Sequence, residues 1–390
     1  MKRNILLLGA TTFINDVSSK IILPILPLFI AEIGGGGLAV GLISGLGESI
    51  ASILKMLAGY FSDRIGRRKP FIIAGYFLAS SGKFLFAFAN LWPHVLVLRV
   101  IERFGNGLRT APVDAVLAAS SPKEKRGRGF GFHRAMDSGG AVAGALVAFV
   151  LFWYLGFAFS KIFLVAGIIG FFSLPPLFAL KEKPADKKPE NLKLGFRYLS
   201  PSLRFFIIIA TVFALGNFSY MFFVLKSQAY FTGKLAVAAP IILYALYNLS
   251  YSLLAVPAGA LSDKIGRRKV LMVGYALFGF VCLGFIFSQS LFAFILFFIL
   301  FGLNYAFVNA TERAFVSDLS DQALRGTALG TFHMWVSFAA LPAGLIAGFL
   351  WDLNSSYPFF YGAGTALATV ALFFLLVKNG KMTADGPSYN

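Results

Sequence analysis

Charged and polar residues recur at helical spacing inside one apolar stretch of this sequence. The stripe consists of Arg99, Glu102, Arg103, Asn106 and Arg109. Spacings of three and four residues place these side chains along one face of a helix. Charges in an apolar medium cost several kcal/mol unless they are paired or hydrated. The stripe must therefore face protein or water, where it can bind an anion, exchange a proton or form internal ion pairs.

A second group of charges lies on two other predicted helices. Asp16 and Lys20 are four residues apart and share a helix face, and Arg134 and Asp137 form a similar polar patch. One interpretation of the first pair is an internal ion pair that neutralises itself. The other is that Asp16 takes up a proton and thereby releases Lys20. We predict that Asp16, Glu102 or Asp137 carries a coupled proton.

The first half of the chain holds an excess of cations within apolar stretches. Between residues 16 and 137 these stretches contain five acids and seven bases, so complete pairing leaves two positive groups. Arg103 and Arg109 are the predicted surplus, because a guanidinium is essentially never deprotonated. Surplus arginine favours an anionic or zwitterionic ligand. The predicted ligand-binding residues are Lys20, Arg103, Asn106, Arg109, Arg134, Asn217, Tyr220, Tyr247, Asn304, Tyr305 and Trp335. Their aromatic members suit an amphipathic or ring-bearing molecule.

Other charges have a plainer interpretation. Glu48 and Lys83 are expected to form a structural ion pair. In the second half, the charged residues within apolar stretches are Glu312 and Arg313, accompanied by His333 in the next stretch. We therefore expect the energetic coupling groups to lie in the first half.

The composition predicts a membrane protein. The 390 residues are 58% hydrophobic and 13% charged, and they include 45 Phe. A bilayer accepts that much apolar surface, whereas a soluble domain cannot hide it. The net charge of +18 does not indicate a nucleic-acid partner, because the basic residues lie in short segments between apolar runs. The single cysteine, Cys282, excludes an internal disulfide and a cysteine-based metal site.

Twelve apolar segments are long enough to span a bilayer as helices. They cover residues 5–31, 40–61, 70–90, 94–117, 127–154, 159–180, 204–227, 235–261, 269–288, 290–316, 326–350 and 357–378. They lack the alternation of barrel strands, so the predicted fold class is all-α, integral to the membrane. Most of the 35 basic residues fall on one side, which predicts a multi-pass protein of the cell (inner) membrane with both termini in the cytoplasm.

One eleven-residue pattern occurs twice, at residues 59–69 and 200 residues later at 259–269. Each copy follows the second span of a six-span half, and a polar segment separates the halves. The predicted organisation is an N-terminal six-helix bundle at 1–180, a cytoplasmic linker at 181–203 and a C-terminal six-helix bundle at 204–390. An even number of spans in each half makes them parallel repeats about an axis normal to the membrane. Gly66 and Gly266 are expected at tight turns with positive φ.

The repeated pattern, Gly-x-x-x-Asp-x-x-Gly-Arg-Arg-Lys, resembles the signature loop between helices 2 and 3 of the major facilitator superfamily (MFS) of secondary transporters. The resemblance covers the whole chain. It implies the MFS fold, in which two six-helix bundles surround a cavity that opens alternately to each side. It also implies that Asp63 and Arg67 form part of a cytoplasmic latch with an acid such as Asp114. The predicted gate residues are Gly59, Asp63, Gly66, Arg67, Arg68, Asp114, Gly259, Asp263, Gly266 and Arg267.

Two shorter elements resemble those of proton-coupled drug exporters of this superfamily. Residues 103–107 read Arg-Phe-Gly-Asn-Gly, similar to an Arg-x-x-Gln-Gly element. Residues 140–145 read Gly-Ala-Val-Ala-Gly-Ala, similar to Gly-x-x-x-Gly-Pro but with Ala145 in place of proline. The glycines of the second element also have the spacing of close helix packing, and we favour that interpretation.

These observations predict a secondary active transporter that exports a small organic solute by alternating access. The solute is anionic or zwitterionic and amphipathic, and a proton antiport drives its efflux. Two alternatives remain open at this point: a proton symporter or uniporter that imports an organic anion, and a non-transporting membrane receptor or assembly factor.

The expected partners are a small-molecule substrate, protons and the lipid bilayer, and nucleic acid is not expected. Three scattered histidines and the lack of a nucleotide motif argue against an enzyme, a metal site and a cofactor. A monomer is expected, since one chain with two bundles contains a complete pathway.

Overall fold

The computed structural model describes residues 3–120, 126–182, 196, 199–320 and 324–378, and the regular structure of these residues is helical, with no strand. The α-helices are α1 (Arg3–Ile22), α2 (Leu26–Glu32), α3 (Gly37–Ile65), α4 (Lys69–Leu85), α5 (Trp92–Ser120), α6 (Arg126–Trp153), α7 (Phe159–Phe171), α8 (Pro175–Phe178), α9 (Pro201–Gly216), α10 (Tyr220–Gln228), α11 (Leu235–Ile265), α12 (Arg267–Phe287), α13 (Leu291–Asp318), α14 (Arg325–Leu353) and α15 (Tyr357–Lys378). A 3₁₀ turn at Phe86–Phe88 extends α4. The all-α prediction is confirmed.

The fifteen helices correspond to the twelve predicted spans. Three spans consist of two helices each, namely α1 with α2, α7 with α8, and α9 with α10. Among the described residues, eleven spans are long and apolar enough to cross a membrane. The fourth span, α5, is 29 residues long and holds five charged side chains. Its charges are the stripe identified in the sequence together with Asp114.

The breaks in the first and seventh spans, where the sequence predicts continuous helices, have local causes. Pro24 and Pro27 have no N–H, so the carbonyls of Lys20 and Leu23 lack their usual helical donors, and α1 ends before both prolines at Ile22. In the seventh span, α9 ends at Gly216 and α10 begins with Ser219 as its N-cap. The Ser219 hydroxyl accepts a hydrogen bond from the Met221 N–H at 3.3 Å.

The two halves of the chain use the same helix packing. In the first half α3 and α4 pack on α5, and in the second half α11 and α12 pack on α13. Likewise α1 packs on α6 and α7, as α9 packs on α14 and α15. The halves meet through two contacts related by the repeat, α3 with α14 and α6 with α11. Residues 183–195 and 197–198 of the predicted linker lie outside the described residues, so the domain boundaries stay a prediction.

The repeated loop marks one end of the helical bundle. We call this the signature end, where Gly66 is the C-cap of α3 and Gly266 is the C-cap of α11. Gly66 has φ 73° and Gly266 has φ 94°, so the predicted positive φ is confirmed at both. The opposite end is the one at which α3 begins at Gly37 and α14 ends at Leu353.

Candidate functional site

Near the middle of the spans, a lysine of the first half contacts aromatic and amide groups of the second. Lys20 Nζ donates to Asn248 Oδ1 at 2.9 Å and to the Tyr244 hydroxyl at 3.4 Å. It also lies 5.6 Å from the centroid of the Tyr244 ring. Among the described residues, Lys20 has no carboxylate within 4.0 Å, so the self-neutralising pair with Asp16 is not formed. Lys20 instead joins the two halves.

Asp16 on α1 faces Asp137 on α6, and the two carboxyl groups lie against each other. Two glycines of α6 allow this approach. A Cβ atom on Gly140 would lie 2.7 Å from the Phe13 carbonyl oxygen, and a Cβ on Gly144 would lie 2.8 Å from the Lys20 Cβ. The predicted packing role of these glycines is therefore the one the structure uses.

The two carboxyl groups have different partners. Asp137 Oδ2 accepts a hydrogen bond from Arg134 Nη1 at 3.0 Å, and both side chains of this pair are exposed. Asp16 Oδ1 accepts from the Asn15 amide at 3.2 Å. Asp16 Oδ2 is buried and has no hydrogen-bond partner. The acid pair thus has an unfilled polar position, which a proton between the carboxyl groups would satisfy.

The stripe on α5 forms an internal network. Arg99 and Glu102 form a buried ion pair. Asn106 Nδ2 donates to the second Glu102 oxygen at 3.2 Å, and Arg109 Nη2 donates to Asn106 Oδ1 at 2.9 Å. Glu102 is therefore bound on both oxygens by neighbours on its own helix, unlike Asp16.

Arg109 connects this network to side chains on α4, α1 and α6. Its guanidinium lies 4.0 Å from the centroid of the Tyr76 ring, a cation–π contact. The Tyr76 hydroxyl lies 3.3 Å from the Thr12 hydroxyl, which lies 2.8 Å from His133 Nε2. Tyr76 and Thr12 were not identified from the sequence, because a lone Tyr or Thr in an apolar run carries no pattern.

The structure changes which cations are in surplus. Arg103 Nη2 pairs with Glu48 Oε2 at 3.6 Å, so Arg103 is not free and the expected pair of Glu48 with Lys83 is wrong. Lys83 is fully buried and lies among neutral acceptors. Within the described chain, Arg109, Lys20, Lys55 and Lys83 each lack a carboxylate within 4.0 Å. Arg109 is therefore unpaired as expected, whereas the place of Arg103 among the unpaired cations is taken by the three lysines.

The second half contributes a cluster of tyrosines. The Tyr220 and Tyr244 rings are 4.9 Å apart, Tyr247 and Tyr305 are 5.7 Å apart, and Tyr251 and Tyr305 are 5.5 Å apart. Their rings span α10, α11 and α13. Phenol groups at the level of Lys20 offer both apolar faces and hydroxyl groups to a ligand.

Three other predicted ligand-binding residues lie elsewhere. Asn304 donates to the Gly274 carbonyl at 2.7 Å and is buried between α12 and α13, so its role as a ligand contact stays a prediction. Asn217 lies at the break between α9 and α10. Trp335 lies toward the signature end, where its ring is 5.0 Å from that of Phe196.

The opposite end holds the two halves together by backbone packing. A Cβ atom on Gly41 of α3 would clash with the carbonyl of Gly344 on α14, and a Cβ on Gly348 would lie 2.5 Å from the Gly37 carbonyl. One residue was missed by the sequence reasoning. The Asp352 carboxylate accepts hydrogen bonds from Gly37 N at 2.5 Å and Leu38 N at 2.9 Å.

Asp352 therefore caps the N-terminus of α3 from the other half. A signal existed in the sequence: an acid at the C-terminal end of a helix is unfavourable for its own helix, so Asp352 needs a partner elsewhere. All six hydrogen bonds that join the halves in the described part of the chain lie at mid-span or nearer to this end.

At the signature end, the ion pairs between described residues stay within one half. Asp63 pairs with Arg68 at 2.7 Å, and the latch of Asp63 and Arg67 with an acid such as Asp114 stays a prediction. In the second copy Arg267 pairs with Asp263 at 3.0 Å and also with Asp318. The same motif therefore has different partners in its two settings among the described residues, because Asp318 at the end of α13 is a second partner of Arg267.

The two copies of the repeated loop also differ in how closely their first glycine packs against a neighbouring helix. A Cβ on Gly59 would lie 3.2 Å from the Ala111 Cβ, whereas a Cβ on Gly259 would meet nothing within 4 Å. Asp114 is exposed and, among the described residues, forms no ion pair within 4.0 Å. Glu182, which was missed, accepts from the backbone N–H groups of Arg68 and Lys69 and caps α4.

Comparison with known proteins agrees with this architecture. The sequence profile of the Major Facilitator Superfamily matches residues 8–240 and 207–388. A protein of Methanocaldococcus jannaschii described as an uncharacterized MFS-type transporter is 43% identical, over 96% of this chain and 95% of its own. The multidrug resistance protein MdtH of Proteus mirabilis is 26% identical, over 86% of this chain and 83% of its own.

Among solved structures, that of the nucleoside transporter NupG (D323A mutant) superposes with a TM-score of 0.82 at 16% identity. The match covers 96% of this chain and 99% of that one. At this identity the likeness concerns the fold. The family profile, the relative at 43% identity and the twelve-span architecture lead to one conclusion. The chain is a multi-pass membrane protein that belongs to the major facilitator superfamily of transporters.

Proposed function

We propose that this transporter couples the movement of a small anionic or zwitterionic organic solute to a proton. The observation that carries the proposal is the contact between Asp16 and Asp137, one turn from Lys20, which in turn contacts the second half. A proton site and a ligand-facing cation therefore share α1. Binding or release of the proton or of the solute then changes the contact between the two halves.

The acid pair is proposed as the proton carrier. Two ionised carboxylates in contact repel each other, and one shared proton removes that repulsion. Glu102 is the weaker candidate, because Arg99 and Asn106 already occupy its two oxygens. This difference selects Asp16 and Asp137 from the three acids that the sequence singled out.

Lys20 is proposed to bind the negative group of the solute. Its present acceptors are a neutral amide and a phenol, which a carboxylate or phosphate would replace with a stronger, charge-assisted hydrogen bond. The guanidinium of Arg103, which pairs with Glu48, and the Tyr220–Tyr244 ring pair are proposed to contact the rest of the solute. The ligand is therefore an amphipathic anion or zwitterion with a ring or apolar body.

We assign the signature end to the cytoplasm, because the basic segments lie there. The termini and the linker at 181–203 are then cytoplasmic, in a cell (inner) membrane protein whose bundles at 1–180 and 204–390 rock against each other. On this assignment the structure is inward-facing, since the bonds between the halves lie at mid-span and at the outer end.

Export by proton antiport is supported by the two exporter-like elements and by the relationship to a multidrug resistance protein. The spacing of Asp16 and Lys20, one helical turn apart on α1, favours a second candidate, proton-coupled symport of an anion. If protonation of Asp16 lowers its attraction for Lys20, proton uptake strengthens anion binding at Lys20, and the two ligands then travel together.

Proteoliposomes test the proposal. Purified protein is first screened by thermal stabilisation against anionic, zwitterionic and cationic compounds. Flux of a stabilising compound is then measured with an imposed pH gradient of either sign. We expect flux to follow the gradient and to lose that dependence in Asp16→Asn and Asp137→Asn, whereas the exposed control Glu32→Gln keeps it.

The sign of the gradient that accumulates the compound separates antiport from symport. Flux that ignores the gradient in the unmodified protein would contradict proton coupling. Stabilisation by lipophilic cations alone would contradict the assignment of an anionic ligand to Lys20.

A further inference from the structure

Lys83 on α4 is a buried cation that the proposed mechanism does not use. Its side chain has no exposed surface, and neither have Asn15 and Ser18, the residues it contacts. Lys83 Nζ lies 2.9 Å from Asn15 Oδ1, 3.3 Å from the Asn15 carbonyl oxygen and 3.2 Å from Ser18 Oγ. An ammonium group has three N–H donors, so these three neutral acceptors satisfy it without a carboxylate.

The ammonium group determines which way the Asn15 amide points. Asn15 Oδ1 accepts from Lys83, so the amide nitrogen is on the other side, where it donates to Asp16 Oδ1 at 3.2 Å. The reversed amide would place its N–H groups against the ammonium group and its oxygen against the Asp16 carboxylate. Both of those contacts are repulsive, so one orientation is strongly preferred.

We propose that Lys83 is a positioning residue that acts through Asn15 to hold a hydrogen-bond donor on Asp16. This inference rests on the proposed role of Asp16 as a proton carrier. Lys83 does not touch the solute or the transferred proton. Its effect is to favour the ionised form of Asp16 by keeping the amide N–H directed at the carboxylate.

Other charged groups lie close enough to Asp16 and Lys83 to affect their protonation. Those that affect Asp16 are Asp137 on α6, Arg109 on α5 and Lys20 on α1. The groups that act on Lys83 are Glu102, Arg109, Asp16 and Arg99. A direct charge effect of Lys83 on Asp16 is therefore the rival explanation, and the test must separate it from an effect through Asn15.

The test is a pH titration of the Asp16 carboxyl C=O band by infrared difference spectroscopy of the protein in lipid vesicles. The band is identified by its loss in Asp16→Asn. In Lys83→Met and in Asn15→Leu we expect its midpoint to move to higher pH by about one unit, because the ionised form loses a hydrogen bond. The double variant is expected to move no further than either single variant.

Ser18→Ala is the matched control. It removes one Lys83 acceptor and the hydrogen bond from Ser18 Oγ to the Ala166 carbonyl at 2.7 Å, but leaves Asn15 unchanged. We expect it to lower thermal stability while the midpoint of the Asp16 band stays in place. If Lys83→Met or Asn15→Leu does not fold, Asn15→Ala replaces it. That variant removes the donor to Asp16 without adding a charge or a second carboxyl group, so the midpoint again rises.

Two outcomes would overturn the inference: unchanged midpoints, and shifts that add in the double variant, which would indicate direct charge. A different result would overturn the proposed function instead, namely a pH gradient that drives flux as well in Asp16→Asn as in the unmodified protein. The spectroscopic readout needs no solute, so the two failures are distinguishable.

Discussion

Asp352 provides a defined way to shift the transporter between its conformations. Its carboxylate accepts two backbone hydrogen bonds, at 2.5 and 2.9 Å, from the first residues of α3 in the other half. If the two bundles rock as proposed, these bonds exist only while the opposite end is closed. Asp352→Ala removes them without changing either bundle's own contacts, so the variant destabilises the state closed at this end.

The magnitude follows from the geometry. Loss of a capping side chain at a helix N-terminus costs about 0.5–2 kcal/mol, and loss of a negative charge there costs about 0.3–1 kcal/mol. Asp352 is exposed, so solvent screening reduces the charge contribution. We expect a total of about 1–2 kcal/mol, which raises the relative population open at this end by a factor of about 5–30. Asp352→Asn keeps one acceptor and is expected to have a smaller effect.

Double electron–electron resonance measures this change. Spin labels are placed at Tyr154 in the first half and Phe287 in the second, both 73% exposed near the opposite end. The native Cys282 is buried and does not compete for the label. The longer-distance population is expected to grow in Asp352→Ala.

Asn354→Ala is the matched control for this experiment. It removes the hydrogen bond from Ser356 N to Asn354 Oδ1 at 2.8 Å, which lies in the same loop but within one half. Distance distributions that do not change in Asp352→Ala, or that change equally in the control, would refute the reasoning.

Three further predictions concern the contacts between the halves. Gly41→Ala inserts a methyl group against the backbone of the other half and should lower the melting temperature or open the end opposite the signature loops. Gly259→Ala is the control and should do neither, because a Cβ atom there meets nothing within 4 Å. Equal melting curves for the two variants would contradict this. Tyr220→Phe removes the hydrogen bond to the Leu23 carbonyl, 3.1 Å long, and should cost about 1 kcal/mol by thermal unfolding, since no helical donor replaces it. Lys20→Met should weaken thermal stabilisation by an anionic ligand by about tenfold in affinity, while a neutral ligand of the same size binds as before.

Much of the architecture could be predicted from the sequence because it depends on local or averaged properties. Apolar length predicts the spans, and the repeated loop predicts the two halves. The positive φ at Gly66 and Gly266 follows from the turn that only glycine tolerates at low cost. The breaks in the first and seventh spans were not predicted, although Pro27 is visible, because prolines such as Pro112 and Pro240 lie inside unbroken helices.

The sequence indicated which residues lie at the candidate site more successfully than it indicated which of them contact each other. Spacing on one helix correctly indicated that the α5 stripe faces protein, because its members are neighbours on one surface. The same reasoning failed for Asp16 and Lys20, which share a face yet turn to other helices. It failed for Glu48 as well, whose partner comes from α5.

Three properties could be predicted from the sequence without the structure: this chain spans a membrane, it consists of two related halves, and its first half carries most of the charged residues within the spans. These properties depend on composition, periodicity and repetition. The tertiary structure alone decided which charges meet. Which charged side chains contact each other depends on the distance between their helices. Glycines on facing helices set how closely those helices approach. Gly140 and Gly144 bring Asp137 against Asp16, and the packing of α3 on α14 places Asp352 at a helix terminus of the other half.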